Sequence, residues 1–207
     1  MSLFKPEPRL TGLPDEVLVH ILAWLSSGSD IFNISLTCIR LQKLAVDQRI
    51  LRRLDLDPSF TIEALIFFTD PSISNKIEEV NMEGASLIKP HQLMEKLPSL
   101  TRISFTVSSW CDCGHPMDLD KMVTPTLRKL TRIKIKFDRK DDEIGIHFVK
   151  GGLHITRDLS QLLGYCKNLS HLELFTDNIV WLDPGRGTKS VKLPKLKHFV
   201  IYMGGQS

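Results

Sequence analysis

The chain is poor in the features that mark secreted, membrane-spanning and nucleic-acid-binding proteins. Four cysteines in 207 residues do not make a disulfide framework in a chain of this size. An apolar run such as 64–68, among the longest, falls far short of the roughly 18–20 residues that span a bilayer. The net charge of +3 does not indicate nucleic acid as a dominant partner, and residues 1–10 lack the basic-then-apolar plan of a secretory signal. We therefore expect a cytoplasmic or nuclear protein with no membrane or nucleic-acid partner.

Motifs that would indicate catalysis or metal binding are missing or incomplete. Cys111, Cys113 and His115 offer zinc-ligand chemistry, but a structural zinc site needs four ligands and usually has two to four residues between its first cysteines. A surface loop with free thiols is the favoured interpretation. The stretch 185–190 departs from a phosphate-binding loop because Thr188 follows its second glycine, where a lysine is required. We predict no catalytic residue, metal or cofactor.

Residues 10–56 have the pattern of a small helical module. Pro14 suits a first helical turn, and Asp15 and Glu16 place negative charge where it complements the helix dipole. Thr11 or Gly12 is the expected cap. A wide apolar stripe follows at helical spacing: Leu13, Val17, Leu18, Ile21, Leu22, Trp24 and Leu25.

The rest of this module predicts two or three more short helices. The polar stretch 26–29 ends the first helix, and Asp30 is the expected cap of the second. Asp47 begins a short element that runs through Ile50 and Leu51. So few short helices form a core that is only marginally stable alone. We expect the module to bury apolar surface against the rest of the chain, a partner, or both.

The module resembles the F-box family in the order and spacing of its residues. The resemblance is carried by Leu13-Pro14-Asp15-Glu16-Val17-Leu18, Ile21-Leu22, Leu25, Asp30-Ile31, Leu36, Cys38, Leu44-Ala45 and Asp47. Leu41 and Leu51 stand where the family often has tryptophan. The resemblance implies docking on the Skp-type adaptor of a cullin ubiquitin ligase. The residues that it places in or near that interface are Leu13, Pro14, Glu16, Val17, Ile21 and Ile31.

A short pattern, apolar-x-x-apolar-x-apolar, recurs six times in the rest of the chain. The copies lie at 51–56, 77–82, 100–105, 130–135, 169–174 and 196–201. Three of their five spacings fall in the roughly 20–29 residues of leucine-rich repeats. Helical spacing precedes several copies, Pro90 stands at a helix start, and Pro98 and Pro194 mark turns from helix to strand. The predicted fold class is α/β: the F-box-like module, then a domain resembling an irregular leucine-rich-repeat solenoid of short parallel strands and helices.

The predicted organisation has three parts and two insertions. They are a loose arm at 1–9, the helical module at 10–56, the repeat-like domain at 57–207, and insertions within it at 108–125 and 137–155. An ordinary α/β domain with chance matches to the repeat pattern is the alternative for the second half.

Three local features of the second half carry predictions of their own. In the second insertion Ile144, Ile146 and Phe148 alternate, and residues after the glycine pair 151–152 alternate back, which predicts a β-hairpin. A helix is expected from Thr156 through Cys166. Residues 183–190 are expected to form a loop.

The outward residues of the predicted strands form a candidate target-binding face. Side chains alternate across a strand, so the outward sets run from acidic to basic to aromatic, on a surface that repeat proteins use for binding. An acidic or phosphorylated target would suit the basic members, Arg102, Arg132, Lys134 and Lys136. The remaining candidates on this face are His171, Phe175, His198 and Tyr202. A solvated surface without a ligand is the alternative.

These patterns favour a non-catalytic adaptor. The helical module would dock on the Skp-type adaptor and through it on a cullin, and the repeat face would hold an unidentified target protein for ubiquitination. The first alternative is a repeat scaffold whose helical module only caps the solenoid; Val17, Ile21 and Leu25 would then be fully buried. The second is an enzyme with a site built from the loops 108–125 and 183–190.

Overall fold

A computed structural model describes residues 10–25, 27–83, 90–107, 125–137, 146–149, 152–155, 163–176, 189–190 and 193–203. It begins with a 3₁₀ turn at Leu10–Gly12 and four helices: α1 (Asp15–Leu22), α2 (Gly28–Ser35), α3 (Ile39–Ala45) and α4 (Gln48–Leu51). The short element expected after Asp47 is thus confirmed as α4. None of the helices in the described ranges is long and apolar enough to cross a membrane.

The helix caps of the module differ in part from the sequence prediction. Pro14 is the N-cap of α1 and makes no side-chain cap hydrogen bond, so the expected cap at Thr11 or Gly12 is wrong: both belong to the preceding 3₁₀ turn. Ser27, not Asp30, caps α2, because its hydroxyl accepts the backbone N–H of Asp30. Asp30 instead contributes negative charge to the first turn.

Six parallel strands form the central sheet, in the order in which they occur in the chain. They are β1 (Arg53–Asp55), β2 (Glu79–Met82), β3 (Arg102–Val107), β4 (Arg132–Phe137), β7 (His171–Thr176) and β9 (His198–Met203). Each apolar pattern of the sequence supplies one of them. The first strand falls inside the predicted helical module, yet it pairs with β2 from Arg53 opposite Glu79.

Helices precede the strands and cover one face of this sheet. They are α5 (Ile62–Thr69) and α6 (Pro71–Ser74) before β2, α7 (Pro90–Lys96) before β3, and a 3₁₀ turn at Pro125–Lys129 before β4. The predicted helix from Pro90 to Lys96 is confirmed. Of the helix expected from Thr156, residues 163–165 are helical and 156–162 lie outside the described residues.

A second, three-stranded antiparallel sheet lies outside this series. It joins β5 (Ile146–Val149), β6 (Gly152–Ile155) and β8 (Lys189–Ser190) in that order. The pairing of Phe148 with Leu153 confirms the predicted hairpin. The loop predicted at 183–190 is wrong at its last two residues, because Lys189 and Ser190 pair with β6.

The helical module and the central sheet share one hydrophobic core. Leu18 and Ile31 from the module belong to the same buried cluster as Leu54, Phe68 and Val80. The Phe32 ring of α2 meets the Phe67 ring of α5 with centroids 5.6 Å apart. The module therefore buries one of its surfaces within the chain.

Polar contacts also tie the start of α2 to the end of β1, through Asp57, which lies two residues after that strand. Its carboxylate accepts hydrogen bonds from Ser27 Oγ at 2.6 Å and Ser29 Oγ at 3.1 Å, both in the module. Ser59 adds its backbone N–H at 2.8 Å and its hydroxyl. Burial raises the pKa of Asp57, but these hydrogen bonds outweigh it and lower the pKa to about 2.

Candidate interaction surfaces

Helix α1 carries two apolar faces, and the chain buries only one of them. Leu18, Val19 and Leu22 are buried in the core. Val17 and Ile21, one turn apart on the opposite side, stay 42% and 40% exposed. Val19 was absent from the predicted stripe, so the buried face is rotated from the centre of that stripe. Val17 and Ile21 therefore form an apolar ridge on α1 that is only partly covered within the chain.

Further exposed apolar residues lie near the ridge in the chain, and one of them, Trp24, belongs to the predicted stripe. Trp24 lies two residues after the end of α1 and is 80% exposed. Its backbone N–H donates a hydrogen bond to the carbonyl oxygen of Ile21. Leu36 and Ile39, at the end of α2 and the start of α3, are exposed as well. The signal in the sequence was the width of the stripe, which exceeds what one small core can cover.

The turn before α1 is held in place from α3. Arg40 donates to Asp15 Oδ1 from Nε at 2.8 Å and from Nη2 at 2.6 Å, and to the carbonyl oxygen of Leu13 at 2.6 Å. Leu13 is half-buried, and Pro14 between the two anchors and Glu16 after them are exposed. This arrangement presents the turn beside the Val17–Ile21 ridge.

Ile31 is the exception among the six expected adaptor-contact residues. It is 1% exposed and lies in the shared core. Its side chain packs inside the chain because α2 sits against the sheet, so it offers no contact surface. The structure therefore brings five of the six residues to the surface or near it, and corrects the expectation for Ile31.

The outward side chains of the central sheet stand in three rows that cross the strands. The strand register defines the first row as Glu79, Arg102, Arg132, His171 and His198. It defines the second row as Asn81, Ser104, Lys134, Glu173 and Val200. The third row is Thr106, Lys136, Phe175 and Tyr202. All eight residues predicted for target binding thus lie on one face.

Half of the expected basic patch is neutralised within the chain. Arg102 Nε lies 3.1 Å from Glu79 Oε2, and Arg102 Nη2 lies 3.8 Å from Glu78 Oε2. Lys134 Nζ lies 2.7 Å from Glu83 Oε1. Arg132 and Lys136 are exposed and form no ion pair with any residue in the described ranges. The basic character left for a ligand therefore comes from these two.

Glu83 is the acidic centre of this neutralised part. Its Oε1 also accepts a hydrogen bond from Ser104 Oγ at 2.6 Å. Burial raises the pKa of Glu83, whereas the hydrogen bonds from Lys134 and Ser104 and the charges of Lys134 and Lys136 lower it. The lowering effects are larger together, so the pKa of Glu83 lies below its ordinary value. The carboxylate is therefore charged at neutral pH and holds Lys134 away from a ligand.

Two pairs of stacked rings lie at the β7–β9 end of the first and third rows. Phe175 and Tyr202 stack with centroids 4.2 Å apart and planes 13° apart, and Lys134 Nζ lies 4.6 Å from the Phe175 centroid. His171 and His198 stack at 4.5 Å with planes 19° apart. The two histidines are therefore direct neighbours on one face of the sheet.

The described residues contain no cluster of three or more metal-ligating side chains. Cys38 is exposed, and burial raises the pKa of the Cys166 thiol to about 12. Cys111, Cys113 and His115 lie outside the described residues, as does the predicted insertion 108–125 except for its last residue.

Comparison with known proteins identifies the N-terminal part of the chain. Residues 10–57 match the F-box-like family. The match spans α1 to β1 and ends at Asp57, where the module is joined to the sheet. No curated protein matches the chain. The chain is thus an F-box-like helical module followed by a parallel sheet with helices.

Proposed function

We propose that this chain is the target-recognition subunit of a Skp/cullin/F-box-type ubiquitin ligase. F-box domains bind Skp-type adaptors, and residues 10–57 match that family. The observation that carries the proposal is the second apolar face of α1. Val17 and Ile21 stay exposed although Leu18, Val19 and Leu22 of the same helix are buried in the core that the module shares with the sheet. A ridge of that kind is stabilised when a partner covers it.

The described structure supports a partner better than a scaffold in which the module is only a cap. A cap would bury Val17 and Ile21 within the chain, and both remain about two-fifths exposed. The module does contact the sheet, through Gly28, Phe32 and the hydrogen bonds to Asp57. One face is used inside the chain, and the other is left for docking.

The second half of the chain would hold the target. We infer that the sheet and its helices form an irregular leucine-rich-repeat domain, whose three rows offer polar, basic and aromatic groups to a protein surface. The subunit would act by proximity, in the cytoplasm or nucleus. It would raise the effective concentration of target lysines near a ubiquitin-charged enzyme that other subunits supply. No residue of this chain would perform chemistry.

Binding of the purified chain to a purified Skp-type adaptor tests the proposal. The double variant Val17→Glu/Ile21→Glu places two charges on the exposed ridge. It should weaken the complex by about 100-fold or more, because desolvated apolar anchors dominate interface energies. Calorimetry or surface plasmon resonance gives the two affinities.

A matched control comes from α5, where Ile62 and Ile66 are also one turn apart and exposed. Ile62→Glu/Ile66→Glu repeats the substitution outside the module and should leave adaptor affinity within about twofold. Both variants and the unaltered chain should unfold cooperatively. A folded chain that does not bind the adaptor, or equal losses in both variants, would refute docking through α1.

A further inference from the structure

The first row of the sheet face carries positive charge that no carboxylate in the described ranges balances. Arg102 is matched by Glu79 and Glu78. The next residue in the row, Arg132, is exposed and forms no ion pair among the described residues. Beyond it the row contains no carboxylate, only two histidines. Unbalanced charge of one sign at a fixed place on a sheet favours a ligand of the opposite sign.

The two histidines are held in a defined geometry beside Arg132. Their rings stack at 4.5 Å on neighbouring strands. Ser170 Oγ donates to the carbonyl oxygen of Thr131 at 3.0 Å, so its one proton is used. The same oxygen lies 2.8 Å from His171 Nδ1, and when its proton is donated to Thr131 it accepts the ring N–H. The other ring nitrogen of His171, Nε2, is then an acceptor in the neutral ring and a donor once it is protonated.

The charged groups around His171 favour its neutral form. Burial is the largest cause that lowers the pKa of His171. His198 on β9, Arg132 on β4 and Lys197 beside β9 lower it as well, whereas Glu173 on the same strand raises it. The net effect is a pKa below the ordinary value of histidine. An anion bound among these groups would reverse the repulsion and let the ring take up a proton.

We propose that Arg132, His171 and His198 form a binding subsite for a phosphorylated side chain of the target protein. A phosphate monoester carries nearly two negative charges and three acceptor oxygens. Those oxygens match one guanidinium and two imidazoles that can become donors. A carboxylate supplies less charge and fewer acceptors. This inference deepens the proposed function, because it names the chemistry of the target that the sheet face would select.

Inorganic phosphate is the probe that tests the subsite without knowledge of the target. The imidazole Cε1–H resonances of the full chain are followed by NMR across pH 5–8, with and without phosphate, at constant ionic strength. Phosphate should shift the His171 and His198 resonances saturably and raise the pKa of His171, because the bound anion stabilises the protonated ring. Arg132→Ala should weaken phosphate binding by about tenfold.

Lys136→Ala is the matched control, because Lys136 is an exposed cation on the same strand, two rows away. It should change phosphate affinity by less than about twofold. Resonances that do not respond to phosphate, or equal losses in the Arg132 and Lys136 variants, would overturn the subsite.

The test is independent of adaptor binding. Val17→Glu/Ile21→Glu should leave the response to phosphate unchanged, and Arg132→Ala should leave adaptor affinity unchanged. A failure of one proposal is therefore visible without a failure of the other.

Discussion

Gly28, at the start of α2, packs closely against Leu54 of β1 and against Phe60. A Cβ atom added there would lie 2.7 Å from Phe60 Cε2 and 3.1 Å from Leu54 Cδ1. Gly28→Ala should therefore lower the free energy of unfolding by about 1–3 kcal/mol, as overpacking does. At an ordinary helical glycine the same change would stabilise by up to about 1 kcal/mol. Urea unfolding at pH 7 measures the difference.

Gly12 and Gly164 provide the controls for this substitution. A Cβ at either position meets no neighbouring atom within 4 Å. Alanine at these two sites should leave stability equal or slightly higher. A Gly28→Ala chain that is as stable as the unaltered one would show that Phe60 yields easily, and that the contact does not fix the module on the sheet.

Asp57 makes the attachment of the module depend on pH. Asp57→Ala leaves the hydroxyls of Ser27, Ser29 and Ser59 without their acceptor. The loss at pH 7 should be about 1–2 kcal/mol, after discounting the pKa shift for partial exposure. Because the folded pKa lies below the usual 3.8, this contribution is complete above about pH 4 and disappears as the pH falls toward about 2.

Denaturant unfolding of both chains from pH 2 to pH 7 checks this dependence. The stability difference should be constant in the upper part of the range and shrink in acid. Asp30→Asn, at an exposed acid in the first turn of α2, should cost less than about 0.5 kcal/mol. A difference between unaltered and Asp57→Ala chains that persists unchanged at pH 2 would show that the carboxylate charge is not what holds the module.

At the scale of an element, α1 shows what a helical pattern can and cannot predict. The sequence predicted the helix from its proline, its acidic first turn and its apolar spacing, all of which are local. It did not predict which part of the stripe is buried, because that depends on where α2 and α3 place α1 against the rest of the core. Val19, which the stripe omitted, is buried, whereas Val17, which the resemblance places in or near the adaptor interface, is exposed.

Trp24 should be a hot spot if the ridge of α1 is a docking surface. It is 80% exposed, and a large aromatic side chain gains much area when a partner covers it. Trp24→Ala should weaken adaptor binding by about tenfold or more. It should change the free energy of unfolding by less than about 0.5 kcal/mol, since little of the side chain is buried in the chain.

Ile62→Ala on α5 is the control for this loss, because Ile62 is an exposed apolar residue outside the module. Its adaptor affinity should equal that of the unaltered chain. If Trp24→Ala also binds normally, the interface ends at Ile21 and excludes the turn after α1.

The strands were predictable for the same reason that α1 was, since each depends on a few adjacent residues. All six apolar patterns, the helix start at Pro90 and the hairpin pairing Phe148 with Leu153 follow from local spacing. The pairing of Lys189–Ser190 with β6 does not, because it joins residues more than thirty positions apart.

At the scale of the whole molecule, the charge of the sheet face could not be predicted from the sequence. Lys134 reaches Glu83 across an intervening strand. Because Glu78, Glu79 and Glu83 are paired with basic side chains, the part of the face predicted to be acidic is largely neutralised. Only the three-dimensional register distinguishes Arg132 and Lys136, which keep their charge available, from Arg102 and Lys134, which do not.

The shared core has a consequence for how such a subunit would present a target. β1 ends the F-box-like segment and also begins the sheet, and no flexible linker separates the two. A target held on the sheet would keep a constant distance and orientation from the docked adaptor. The position of the bound target would then determine which of its lysines receive ubiquitin, because no movement between the module and the sheet would bring other lysines within reach.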